Sequence, residues 1–99
     1  MITVGLLATL EAKPGKQGEL VALLKKAEDM ARAEQKTTVW FAFQGPNETC
    51  YIFDAFADES GRKAHLEGAI AGALMQVAPQ LLAVPPKIEK VNLLASKIP

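Results

Sequence analysis

The order of periodic segments predicts an α+β chain with the pattern β-α-β-β-α-β, and three features carry that reading. Residues 2–11 alternate, with Ile2, Val4, Leu6, Ala8 and Leu10 on one side and Thr3, Gly5, Leu7, Thr9 and Glu11 on the other. At Gln17 the apolar spacing changes to three and four residues. Beyond that helical stretch, two alternating runs flank the turn-forming string Gly45-Pro46-Asn47-Glu48. A short connection of this kind makes its flanking strands an antiparallel hairpin.

The first strand stops at Lys13-Pro14-Gly15-Lys16, because proline fixes φ and glycine opens the turn. Leu20, Leu23, Leu24, Ala27, Met30 and Ala31 then form an apolar stripe, which predicts an amphipathic helix from Gln17 to about Glu34. Strands follow over residues 37–44 and 49–57. Asp58 suits the N-cap of a second helical region, because its carboxylate can accept from a free backbone N–H of the first turn. That region runs from Glu59 to about Val77, with Pro79 disturbing its end and Gly61, Gly68 and Gly72 predicting a bend or a split. Pro85-Pro86 is a stiff connector, and residues 87–98 read as the last strand. The expected product is a ferredoxin-like βαββαβ fold. Its four-stranded antiparallel sheet carries both helices on one face, with right-handed crossovers.

The chain of 99 residues suits a single domain over residues 1–99. Eleven basic residues balance eleven acidic ones, and no block of like charge occurs, so nothing in the charge favours nucleic acid or an anionic membrane. Charges and prolines interrupt every apolar stretch before it reaches membrane-spanning length. The first residues lack a basic leader and a small-residue cleavage site, which predicts a cytoplasmic protein. Cys50 is the one cysteine, read either as a buried reduced thiol or as a reactive one.

Two helices cover one face of such a sheet, and the other face should turn polar if it meets water. Here it does not. Val39, Phe41 and Phe43 share one side of the second strand and Trp40 takes the other; Tyr51, Phe53 and Ala55 lie opposite Cys50, Ile52 and Phe56 in the third. Leaving large side chains of this kind in water costs roughly 1.5–3 kcal/mol each, so a homodimer joined sheet to sheet is the expected remedy.

Few residues can carry chemistry. His65 is the one histidine, and Gly61, Gly68, Ala69 and Gly72 lie near it at helical spacing, so it either borders a cavity or serves as a structural histidine beside close packing. An imidazole of ordinary pKa, about 6.5, is suited to taking a phenolic proton. Asp54 interrupts the apolar third strand and needs a donor, for which His65 and Arg62 are candidates; a salt bridge or an edge position is the alternative. Trp40 and Tyr51 could stack on a planar substrate or pack in a core or interface. The carboxylates near His65 match no metal motif, and no phosphate loop, nucleophile elbow or CxxC pair is present.

The run Tyr51-Ile52-Phe53-Asp54-Ala55-Phe56-Ala57-Asp58-Glu59-Ser60-Gly61-Arg62-Lys63-Ala64-His65-Leu66 resembles the signature of the antibiotic biosynthesis monooxygenase family, as does the opening strand with its Lys-Pro-Gly-Lys-x-x-Glu-Leu. That resemblance implies a dimeric α/β barrel with a pocket between each sheet and its helices. It implies oxidation of a small aromatic polyphenol or quinol by molecular oxygen, with no bound cofactor. The family histidine falls on His65 and the strand acid on Asp54, which stands where a glutamate is usual. A second histidine is common shortly after the first; here the chain reads Glu67-Gly68-Ala69-Ile70-Ala71. The expected site is His65 and Asp54 as catalytic residues, Trp40, Tyr51 and Arg62 as substrate contacts, and no metal. The alternatives are a non-catalytic dimer binding a small apolar metabolite, and a haem enzyme or sugar-phosphate isomerase of the same superfamily.

Overall fold

A computed structural model describes all 99 residues. The elements run β1 (Val4–Leu10), α1 (Gln17–Ala33), β2 (Val39–Gln44), β3 (Cys50–Phe56), α2 (Glu59–Leu66), α3 (Ala69–Leu81) and β4 (Lys87–Asn92). The sheet order is β2-β3-β1-β4 with every pairing antiparallel, the ferredoxin-like arrangement in which each crossover steps over one strand.

Register fixes which side chains face the helices. Leu6 lies opposite Asp54, Ala8 opposite Ile52 and Leu10 opposite Cys50, while Trp40 and Ala42 of β2 flank Asp54 and Ile52 from the other side. On this face Leu6, Leu10, Cys50, Ile52 and Phe56 are buried, and Leu20, Leu24, Ile70, Leu74 and Leu81 of the helices close over the sheet. The opposite face carries Val39, Phe41, Phe43, Tyr51, Phe53 and Leu7 without a layer above it. Phe41 keeps 58% of its surface exposed and Phe43 keeps 47%. The ring of Phe43 stacks on Tyr51 with centroids 5.2 Å apart.

The last two elements differ most from the sequence reading, at their C-terminal ends. The second helical region is split between α2 and α3 at Glu67–Gly68, one of the two outcomes its glycines allowed. Its second half does not stop near Val77 but continues through Pro79 to Leu81. Proline removes one helical donor there, yet Leu81 and Leu82 are buried by the extra turn, and Lys13 Nζ donates to the Pro79 carbonyl at 2.7 Å. The last strand ends at Asn92, not Ile98, because Asn92 pairs with Val4 and β1 offers no strand residue before it. Leu94 beyond that point is 97% exposed.

Gly5 lies where β1 passes close to β3: a Cβ there would come within 2.8 Å of the Asp54 carbonyl oxygen. Backbone cannot yield as a flexible side chain does. Gly5→Ala is therefore expected to destabilise the protein by roughly 1–3 kcal/mol, read as a lower midpoint in urea denaturation with an unchanged slope.

Candidate functional site

Asp54 projects from the middle of β3 toward the helices, and its side chain is only 2% exposed. A carboxylate in that position requires donors. One comes from α2, which Asp58 starts by accepting from the Gly61 N–H at 3.1 Å and the Ser60 hydroxyl at 2.7 Å. The helix then brings His65 over the sheet, where Nε2 lies 2.9 Å from Asp54 Oδ2. The other ring nitrogen, Nδ1, lies 2.6 Å from Oε1 of Glu34, at the C-cap of α1. Thr37 donates its hydroxyl to the same Glu34 oxygen at 2.7 Å. The imidazole is thus held between two carboxylates, with Phe56 tilted against it at 5.4 Å between centroids.

Burial alone would lower the pKa of His65, but the hydrogen bonds and charges of Asp54, and then of Glu34, outweigh it and raise it to about 9. At neutral pH the ring is an imidazolium donating from both nitrogens. In that state the ring has no free lone pair. The cluster of two carboxylates and one imidazolium carries a net charge of −1, and Asp54 Oδ1 and Glu34 Oε2 are buried without partners. The two acids approach opposite nitrogens of one ring, so these three residues cannot converge on a single ion, and no group of metal-type ligands forms elsewhere.

The other expected site residues separate. Arg62 does not reach Asp54. Its Nη1 donates to the carbonyls of Gly5 and Val91, each at 3.2 Å, and Nη2 pairs with Glu59. Through these contacts the guanidinium ties α2 to β1 and β4, while its Nε is buried without a partner. Tyr51 lies on the open face of the sheet, opposite Asp54 and His65, so within one protomer it cannot line the same pocket. Trp40 lies on the helix face directly across from Asp54, with Nε1 buried and unpaired. Cys50 is buried, and burial, then the charge of Glu48, raises its thiol pKa, which disfavours the thiolate.

The interior between sheet and helices is nearly filled, with a void of about 20 Å³ among Leu23, Leu24, Ala27, Ile52, Ile70 and Leu74. The centre of the layer holds no pocket; the space between α1 and the sheet opens instead as a groove at the β2 edge, and a second groove lies at the flank beside His65. A groove of about 500 Å³ adjoins His65, bordered by Glu34, Thr37, Gly61 and Gly68. These glycines do not leave a hole: a Cβ on Gly68 would stand 3.1 Å from Glu34 Oε2, and one on Gly61 would stand 3.2 Å from the Lys36 carbonyl. They admit the connection from α1 to β2. Two further grooves of about 400 and 390 Å³ share Glu28, Trp40 and Ala42, forming one trough between α1 and the outer edge of β2.

Comparison with solved structures finds NE2512 of Nitrosomonas europaea, a protein of unknown function, at 52% identity over 100% of this chain and 96% of that one, with a TM-score of 0.97. The chain belongs to the family of NE2512. More distant neighbours include a protein from Nitrosomonas europaea described as a "putative antibiotic biosynthesis monooxygenase", 14% identical with a TM-score of 0.82 over 93% of this chain and 99% of that one. Another with the same description, from Caulobacter crescentus, is 18% identical with a TM-score of 0.81 over 95% and 92%. These place the fold among structures of the kind that the sequence resembles. No family model and no curated protein matches. No helix is long and apolar enough to cross a membrane.

Glu34 and Thr37 escaped the sequence reading. They lie 31 and 28 residues from His65, and Glu34 reads as one more polar residue at a helix end.

The raised pKa of His65 has a sign that can be tested. Its contribution to stability is fully present below the unfolded value of 6.5 and is lost as pH rises through about 9. The wild type should therefore lose on the order of 3 kcal/mol relative to His65→Gln between pH 6 and pH 10, measured by denaturant titration of both proteins. A difference that does not change with pH would contradict the assignment.

Proposed function

We propose that the protein is a dimeric oxygenase acting on a small aromatic polyphenol or quinol, with Asp54 as proton acceptor and His65 and Glu34 as its electrostatic support. The observation that carries this reading is the unpaired Oδ1 of Asp54 beside an imidazolium held by both nitrogens. The net negative cluster can take one proton from a neutral phenol and become neutral, which suits a buried site. The ring anion left behind is electron-rich enough to reduce oxygen. With hydroquinone the balance is hydroquinone plus O2 giving hydroxyquinone plus water. A ring carbon bonds O2, and Asp54 returns its proton to the resulting peroxide. Loss of the C–H proton from that carbon breaks the O–O bond, leaving a ring carbonyl and a hydroxide that takes up the same proton to leave as water.

The same charge argues against a sugar phosphate as substrate, since the cluster would repel it and the Arg62 guanidinium is already bonded elsewhere. A non-catalytic dimer binding an apolar metabolite is the second reading, favoured by the apolar lining of the trough at Val21, Leu24, Trp40 and Ala42. Pairing through the open sheet face accounts for the exposure of Phe41 and Phe43 in either case.

Oxygen-electrode measurements with hydroquinone, with no added flavin or metal, should show uptake by the wild type. Asp54→Asn should lower that uptake at least ~100-fold with the circular dichroism spectrum retained, and Glu34→Gln should lower it less. Equal uptake in Asp54→Asn, or none in the wild type, contradicts the proposal. Sedimentation at micromolar concentration should give twice the 10.6 kDa chain mass, and Phe41→Glu should shift the population toward the monomer. A wild-type monomer would contradict the pairing.

A further inference from the structure

Trp40 and Asp54 are register partners on adjacent strands and face the same side of the sheet. Their side chains stand close, because directly opposed residues of an antiparallel pair place their Cβ atoms about 4.5–5.5 Å apart. One offers a donor, indole Nε1, and the other an acceptor, carboxylate Oδ1. Both atoms are buried, and neither has a partner. Each such vacancy costs about 1–3 kcal/mol. The second Asp54 oxygen is engaged by His65, so Oδ1 alone remains to meet a ligand.

We propose that these two atoms form a subsite for a single hydroxyl group, which accepts from Trp40 Nε1 and donates to Asp54 Oδ1, and that the hydroxyl belongs to a phenol whose ring lies in the trough between α1 and β2. The inference rests on the reading of Asp54 as proton acceptor and names where its substrate sits. An O–H satisfies both atoms at once through a single uncharged centre, whereas an aliphatic amine is protonated at neutral pH and an amide or aniline nitrogen is a poor acceptor. A carbonyl or ether accepts only, an ammonium donates only, and a carboxylate brings a second charge against Asp54. Trp40 stands between Asp54 and the edge of the sheet, where the trough offers about 400 Å³ beside Val21, Leu24 and Ala42, enough for one or two fused rings with apolar contact. The indole, half-buried on the edge strand, shifts to let the hydroxyl enter.

Calorimetry under anaerobic conditions separates binding from turnover. Hydroquinone should bind saturably. Its dimethyl ether, which cannot donate, should bind at least ~10-fold more weakly, and Trp40→Phe, which keeps a ring and removes the N–H, should weaken hydroquinone by about the same factor. Ala42→Leu, which fills the trough without touching either polar atom, should weaken it as well and stands in if Trp40→Phe does not fold. Absence of hydroquinone binding, equal affinity for the two probes, or undiminished affinity in the variants overturns the subsite. An ordered water could supply the same O–H. A crystal soaked in hydroquinone should show the ligand oxygen between Nε1 and Oδ1, and a water retained there with the ring elsewhere overturns the assignment to a phenol. Anaerobic binding without aerobic oxygen uptake would leave the subsite standing and defeat the oxygenase reading.

Discussion

A single positive charge held between two largely buried carboxylates organises this molecule. His65 joins the middle of β3, through Asp54, to the end of α1, through Glu34, and its own helix completes the junction. Removing either acid would leave the imidazolium half-compensated in a poorly solvated position, and removing the histidine would leave two like charges facing a gap. Packing follows from this arrangement. The connection after α1 must approach α2 closely, which is why Gly61 and Gly68 stand beside it without side chains. The short second helix ends soon after His65, and α3 takes a separate course across the leucines of α1 and the sheet.

The same junction sets the chemistry available. An imidazole with one free nitrogen would act as base on its own. This one is bonded at both nitrogens, and the oxygens left without a partner belong to the carboxylates, Asp54 Oδ1 and Glu34 Oε2. The division of the sheet into two apolar faces has a parallel consequence. The helix face is closed almost without voids, leaving space only at the β2 edge and beside His65, while the open face presents phenylalanine rings to whatever covers them. The grooves and the exposed phenylalanine rings therefore lie on different surfaces of one small sheet.

Much of the fold was legible in the sequence because alternation and helical spacing report faces directly. Leu6, Leu10, Ile52 and Phe56 were assigned to one side by period alone, and that side is buried. Asp54 stood out as a charge on an apolar strand, and His65 followed as its candidate donor. What sequence periodicity cannot supply is a meeting between segments far apart in the chain. Glu34 enters the cluster only because α1 ends where it does, and Arg62 turned toward the Gly5 and Val91 carbonyls because those backbone oxygens lie within its reach. Alternation gave the two sides of each strand but not which side of β2 shares a face with which side of β3; the pairing of Trp40 with Asp54 and of Phe43 with Tyr51 puts Trp40 and Tyr51 on opposite faces. The end of β4 depended on the length of β1, its partner, and the last turn of α3 on the burial of Leu81 and Leu82.

The charge on His65 sets the electrostatics of the whole junction, and nitrogen-15 NMR of the imidazole reads it directly. Both ring nitrogens should carry protons at pH 7, with deprotonation near pH 9, as the raised pKa requires. A spectrum showing a neutral ring at pH 7, with one bare nitrogen, would contradict the two-carboxylate clamp. It would also return the role of proton acceptor to His65.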